Sequence, residues 1–229
     1  MTEKDIENSA PESTLAQDKN NAARDEAELS EVAEHLERRR KIYLSYGYDL
    51  EAERQAIILA AQPLSGLILE AGTGKGHFAV NLARLGYKLV SFDCSEEQLR
   101  IARMNLERHG LAHLVELVQE NGENLSFADG SFEVIFSVNM VHHLKNTYQV
   151  LSELIRVLKP GGKLIISDFS PEGLVMMAEV HRLEGDEHEV APVGLDEVEK
   201  FLKEKGFEVT RTRTKFQITL VCKKPAEKS

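Results

Sequence analysis

Leu67-Ile-Leu-Glu70-Ala-Gly72-Thr-Gly74-Lys-Gly76 decides how this chain folds. A short apolar run ends in a turn with glycine at alternate positions. Helical periodicity then takes over from about Gly76 to Leu85, closed by Gly86. A strand, a glycine turn and a helix in direct succession is the opening unit of a parallel α/β sheet. Such sheets bind ligands beyond the C-terminal ends of their strands, where the strand order reverses.

Outward from this stretch the alternation repeats. Leu89-Val-Ser-Phe-Asp93 reads as a second strand. The helix after it starts at Ser95 as N-cap, with Gln98 completing a capping box, and runs to Gly110. Further strands are expected near Leu114–Val118, Val134–Val138 and Lys163–Ser167. Between the last two, an amphipathic helix turns Tyr148, Leu151, Leu154, Ile155 and Leu158 inward, and Lys159-Pro-Gly-Gly162 forms a turn into the fifth strand. The end reads as a helix over Asp196–Lys205 and then two strands, near Glu208–Thr212 and Gln217–Cys222. Their link is too short for a crossover helix, so they pair antiparallel. The expected fold is α/β and Rossmann-like: a seven-stranded, mostly parallel sheet with helices on both faces and an antiparallel last strand.

Composition narrows the function. Of 229 residues 42% are hydrophobic, enough for one sizeable core, and the formal charge is −10. A field of that sign repels phosphate backbones, which argues against a nucleic-acid partner. Two cysteines, Cys94 and Cys222, are too few for a disulfide framework or a four-thiolate metal site. No apolar run is long enough to span a membrane and no secretion signal is visible, so a cytoplasmic protein is expected. Half of the net charge lies in the first thirty residues, which hold no aromatic side chain. Residues 1–29 are accordingly expected to be a disordered acidic tail. Residues 30–62 carry two helices, the first with Val32, Leu36 and Tyr43 on one face and the second starting at Asp49 and stopped by Pro63. Between them Tyr43-Leu-Ser-Tyr46-Gly-Tyr48 gathers three of the five tyrosines, which either cover a core edge or line a ligand pocket.

Two nucleotide-binding motifs do not fit the glycine turn. A phosphate-binding P-loop needs glycine at position 69 and Ser or Thr at 76, where Leu and Gly stand; the dinucleotide fingerprint needs glycine at 77, where His stands. The turn instead resembles the first motif of the class I S-adenosylmethionine-dependent methyltransferases, which has an acidic residue two before G-x-G-x-G, as in Glu70-Ala71-Gly72-Thr73-Gly74-Lys75-Gly76. The resemblance continues through Asp93 at the end of strand two, Glu120-Asn-Gly-Glu-Asn-Leu-Ser-Phe127, Asp129-Gly-Ser-Phe132, Val141-His-His-Leu144 and Leu158-Lys-Pro-Gly-Gly162. It spans residues 66–169 with its elements in order.

The resemblance implies S-adenosylmethionine as cofactor, a small-molecule acceptor, and a methyltransferase domain over residues 63–229, with residues 30–62 as a helical lid. It implies a cofactor site made of Glu70, Ala71, Gly72, Thr73, Gly74, Gly76, Asp93, Cys94, Gln98, Asn121, Gly122, Glu123, Asn124, Val138 and Asn139, with Tyr43 from the lid. Asp93 suits both ribose hydroxyls, a role that nicotinamide sites share. Glu70 either meets the amino-acid end of the cofactor or complements the N-terminal dipole of the next helix. Asn121 stands where the family usually has Asp; its carbonyl oxygen can still accept from the adenine amino group.

No Pro-Pro-aromatic segment of the kind used on nucleobase amines follows strand four. His142 and His143 stand there instead, either as a general base for the acceptor or as packing against the cofactor and the next helix. His181, Glu184 and His188 fall at i, i+3 and i+7, with Met176 and Met177 just before. That segment reads as a solvated loop, an acceptor-pocket wall with His181 and His188 as catalytic candidates, or a divalent-metal site. No Cys/His cluster suggests a conventional zinc site. Three functions remain open on these residues: methyl transfer, binding of S-adenosylmethionine without turnover, and nicotinamide-dependent redox chemistry.

Overall fold

A computed structural model describes residues 30–34, 37–184 and 193–226. The chain divides into two units, residues 1–38 and 39–229. In the first, residues 30–34 and 37–38 are helical; the expected tail, 1–29, lies outside the described residues.

The second unit opens with helical residues 39–45 (α1) and α2 (Leu50–Ala60), whose first amides are taken by the Asp49 carboxylate, an N-cap as expected. Seven strands follow, with helices between them: β1 (Ile68–Ala71), α3 (His77–Arg84), β2 (Leu89–Asp93), α4 (Glu96–Arg108), β3 (Val115–Gln119), β4 (Phe132–Val138), α5 (Thr147–Val157), β5 (Leu158–Phe169), α6 (Pro171–Glu184), α7 (Leu195–Glu204), β6 (Glu208–Arg213) and β7 (Gln217–Lys223). They form one sheet in the order β3-β2-β1-β4-β5-β7-β6. β1 to β5 pair parallel, and β7 runs antiparallel to both β5 and β6. The fold is the one expected. Strand order reverses between β1 and β4, which places the ligand crevice beyond Ala71 and Val138.

Strand residues alternate between two cores because the pleat has period two and both faces are covered. Ile68, Val134, Phe136 and Ile165 face α2, α3 and the end of α4; Leu69, Ile135, Leu164 and Ile166 face α5 and α7. Each of these side chains is almost fully buried, worth about 1.5–3 kcal/mol apiece. A third cluster joins Tyr43 and Tyr48 to Phe169, Met176, Met177, Val180 and Phe216. The helix after the glycine turn begins at His77, capped by Gly76 at φ +78°, where a Cβ would press to 3.0 Å on Ala102 of α4. Gly76 therefore sets the α3–α4 approach.

Two expectations need correction. Tyr148 does not turn inward: it is exposed and lies against Phe201 of α7, ring centroids 5.1 Å apart. The phase of α5 is set by buried Thr147, whose hydroxyl donates to Leu144 O, so Val150, Leu151, Leu154 and Val157 take the inner face and Tyr148 is rotated off it. Lys159–Gly162 is also not a turn ahead of β5 but part of it. Leu158 pairs with Phe132 while Lys163 pairs with Val134, so the intervening residues bulge out of the ladder.

Candidate functional site

The ends of β1, β2, β3 and β4 meet around a cleft of about 480 Å³. It is lined by Gly72 and Gly74 after β1, Phe92, Asp93 and Cys94 of β2, Glu120 to Glu123 after β3, and Asn139, Met140 and His143 to Lys145 after β4, with Val150 of α5. Each polar wall comes from a strand end because the apolar run that makes the strand stops there.

The glycine loop leaves β1 with the amides of Gly72 and Thr73 both donating to Phe92 O, at 2.9 Å. Gly74 has φ +50° and nothing within 4 Å of the position a Cβ would take, so the loop is open toward the cleft. Its amide donates to Asp93 Oδ2 at 2.8 Å, and Ser95 N donates to Asp93 Oδ1 at 3.0 Å. Two backbone donors fix the carboxylate, and each oxygen keeps a lone pair for a ligand hydroxyl. On the β3 side Asn121 Oδ1 accepts from Glu123 N at 3.0 Å, and Glu123 is held in turn by Asn146 Nδ2. Asn121 thus spends one carbonyl lone pair on its own turn and keeps the other. Glu120 is held by Ser126.

Glu70 is not at the cleft surface. It is fully buried at the end of β1, where Ser91 Oγ donates to Oε2 at 2.5 Å, and Thr73 Oγ1 lies 2.6 Å from Ser91 Oγ. The Ala79 amide in the first turn of α3 also reaches its carboxyl. Burial pushes the Glu70 carboxyl up to about 8, against the smaller opposing pull of Ser91 and Arg54. The Thr73–Ser91–Glu70 chain therefore supports the glycine loop from beneath and ties it to the first turn of α3. Just beyond, His77 is a buried neutral ring, pushed down to about 3 by burial and the nearby Arg54, and its Nε2 lacks a hydrogen-bond partner.

At the β4–β5 edge, His142 and Asp168 form a buried pair. Asp168 Oδ1 lies 2.6 Å from His142 Nδ1, Oδ2 accepts from His142 N at 3.0 Å, and Phe169 N donates to Oδ1 at 2.8 Å. The His142 ring stands 4.0 Å from His143, which lines the cleft, and 5.4 Å from Phe169 of the third cluster. The pair thus lies between the cleft and the Tyr/Met cluster.

The expected cofactor residues divide. Gly72, Gly74, Asp93, Cys94, Asn121, Gly122, Glu123 and Asn139 share the cleft with His143. Ala71, Thr73 and Gly76 are buried beneath it, and Gln98 supplies only its capped amide to α4. Val138 ends β4 and Asn124 closes the turn after β3 in an isolated bridge with Asn121; neither lines the cleft. Tyr43 is buried in the third cluster, its hydroxyl donating to Met177 Sδ at 3.0 Å. Met176 and Met177 are buried there too. His181 sits on α6 with Arg39 Nη2 3.2 Å from its Nδ1; His188 and the side chain of Glu184 lie outside the described residues. Among the described residues no cluster of three or more His, Cys, Asp or Glu side chains is placed to hold a metal, and no helix is long and apolar enough to cross a membrane.

Sequence reasoning passed over Phe92, Glu120, Met140, Leu144, Lys145 and Val150 of the lining, and Asp168 beside it. Asp168 carried a signal: like Asp93, it is an acid ending an apolar strand, in Ile165-Ile-Ser-Asp168. A larger hollow of about 600 Å³ lies at the opposite strand ends. Of its cations, Arg156 is held by Glu153 and Asp129, Lys224 by the carbonyls of Ile155 and Leu158, and Lys205 lies over the Phe201 ring.

Residues 69–166 match the family described as a methyltransferase domain. Over 145 residues the chain is 33% identical to a demethylmenaquinone methyltransferase of Thermus thermophilus, covering 62% of this chain and 64% of that protein. Over 146 residues it is 32% identical to the 27-O-demethylrifamycin SV methyltransferase of Amycolatopsis mediterranei, covering 62% and 53%. The chain thus spans less than two thirds of the length of these curated relatives. Among solved structures, a SAM-dependent methyltransferase from Aquifex aeolicus superposes with TM-score 0.59 at 22% identity, covering 74% of this chain and 88% of that one, a likeness of fold.

Proposed function

We propose that this chain, which belongs through residues 69–166 to the class I S-adenosylmethionine-dependent methyltransferases, transfers the cofactor's methyl group to a small-molecule acceptor. The observation that carries the reading is the cleft itself: an open glycine loop, a carboxylate fixed at the end of β2 and a polar turn after β3 stand together at the switch point. That donor set fits an adenosine with an amino-acid tail. Asp93 would take the ribose hydroxyls, Asn121 the adenine amino group, and the loop at Gly72 and Gly74 the tail. When bound, S-adenosylmethionine supplies a methyl group already activated by a sulfonium.

The chain's own contribution is to hold an acceptor in line, exclude water and take up its proton. His142 and Asp168 suit the last task. Asp168 holds the ring in place through Nδ1 and the backbone through His142 N. Tyr43, Tyr48, Phe169 and Met177 pack as a buried apolar cluster on the far side of this pair, and the acceptor class proposed is an apolar molecule with an acidic O–H or C–H. The names of the two curated relatives, a demethylmenaquinone methyltransferase and a 27-O-demethylrifamycin SV methyltransferase, support a small-molecule acceptor. The lid role of residues 30–62 enters this proposal through Tyr43 and Tyr48.

A second reading has one observation behind it. Asp168 also takes two backbone amides, as a purely structural clamp would, and the chain would then bind the cofactor without turnover. A labelled-methyl assay over phenol, thiol, amine and carbon-acid pools separates the two. Label transferred to the phenol or carbon-acid pool supports the proposal; cofactor binding without transfer to any pool supports the second reading.

A further inference from the structure

The turn that leaves β4 is fastened on several sides. Asn139 has φ +52°, the single non-glycine residue at positive φ among the described residues, and its amide donates to Ser167 O at 2.8 Å. Its side chain is engaged by Gln217 Nε2 at 2.6 Å and by the buried Tyr48 hydroxyl. His143 N closes the next step by donating to Met140 O at 3.0 Å. A backbone held in so sparsely populated a conformation delivers the following side chain, Met140, to one place.

That place is the first glycine of the loop after β1. A Cβ on Gly72 would stand 3.0 Å from Met140 Sδ, 3.2 Å from its Cγ and 3.5 Å from its Cβ, so the bare glycine is what lets the thioether lie across the loop. Ser137, 2% exposed in β4, donates its hydroxyl to Met140 Sδ at 3.6 Å. A thioether sulfur is a weak acceptor. Ser137 takes one of its lone pairs and leaves the other for the cleft, which Met140 lines. Met104, Met176 and Met177 are buried and serve as packing. Met140 is the methionine of the cleft, where leucine would fill the same volume and what methionine adds is a polarisable sulfur.

We propose that Met140 is a specificity-determining residue whose sulfur faces the sulfonium of bound S-adenosylmethionine and favours this charged donor over the neutral thioether that remains after transfer. The proposal rests on the cofactor reading above. With the ribose at Asp93 on β2 and the amino-acid tail over β1 and β4, the cofactor sulfur that joins them comes over Gly72, beside Met140 Sδ. A lone pair directed at a positive sulfur is attractive, and more so in a cleft than in bulk water. Directed at a neutral sulfur, it meets lone pairs of its own kind. The contact therefore holds the reactant and lets the product go.

The test compares ligands that share the adenosine and the tail and differ at the sulfur position: S-adenosylmethionine, S-adenosylhomocysteine, and sinefungin, which carries an amine there in place of the methylated sulfur. Affinities are measured by calorimetry for the full chain and for Met140→Leu, Ser137→Ala and the double variant. Met140→Leu conserves volume. It should weaken S-adenosylmethionine and sinefungin roughly three- to tenfold and leave S-adenosylhomocysteine within about twofold. Ser137→Ala frees the sulfur without touching the cleft wall, and should shift the same ratio in the same direction by a smaller factor. Added to Met140→Leu, it should shift the ratio no further. Ser137→Ala carries the test by itself if Met140→Leu does not fold. Equal weakening of the charged and neutral ligands, an unchanged ratio, or additive shifts in the double variant would overturn the proposal. Failure of the wild-type chain to bind any of the three would instead overturn the cofactor reading, and the proposal with it.

Discussion

Glu70→Gln tests whether the acid beneath the glycine loop is a buried, proton-holding support. The glutamine keeps an oxygen for Ser91 and the Ala79 amide and removes the titration. In the unfolded chain Glu70 ionises near its ordinary 4.5; in the folded chain burial holds it protonated up to about 8. A raised folded value means stability that is complete below pH 4.5 and lost as pH rises toward 8. Relative to the variant, the wild-type chain should lose roughly 1.4 kcal/mol of folding stability per pH unit inside that window, several kcal/mol in all. Urea unfolding of both proteins at pH 5, 6, 7, 8 and 9 gives the difference directly, since every other titrating group cancels. The variant should be the less pH-sensitive of the two, its advantage growing from pH 5 to pH 8 and flat above. A difference that stays constant with pH would refute the reasoning, because it would mean that Glu70 ionises alike in both states.

Gly74→Val places a branched side chain into the open side of the loop at φ +50°. Strain of about 1–2 kcal/mol should lower the melting temperature by roughly 2–8 °C, while calorimetry should find S-adenosylhomocysteine affinity gone; retained affinity would mean that the ligand does not pass over the loop. Asp168→Asn, assayed with whichever acceptor the labelled-methyl screen returns, should lower turnover about 100-fold or more and leave cofactor affinity within twofold. Unchanged turnover would reduce the His142–Asp168 pair to a clamp on the loop after β4.

What the sequence made legible was local. Leu67–Gly76 and Phe92–Ser95 each hold strand, ligand-facing residue and helix start within ten positions, so the glycine loop, Asp93 and the Ser95 cap could be read in place. Tyr148 was misread because helix phase depends on which residue is anchored, and Thr147 is anchored by a hydroxyl bond that hydrophobic periodicity does not register. Lys159-Pro-Gly-Gly162 has turn composition, yet it remains within a strand because β4 and β7 hold its two flanks. In the site, Asp168 meets His142 across 26 residues and Gln217 meets Asn139 across 78. Such pairs follow from the sheet order, which spacing along the chain does not encode. Glu70 shows the opposite case: its position was legible, but its role as a buried support beneath Thr73 and Ser91 depends on enclosure that only packing provides.

The most direct measurement of the central claim is a calorimetric titration of the wild-type chain with S-adenosylhomocysteine and, separately, with NAD, repeated on Asp93→Ala. Both ligands carry a ribose that Asp93 can hold, so the tail and the open glycine loop must discriminate between them. The account predicts one-to-one binding of S-adenosylhomocysteine, no measurable binding of NAD, and loss of at least tenfold in the variant. Equal or tighter binding of NAD, or S-adenosylhomocysteine binding indifferent to Asp93, would contradict it.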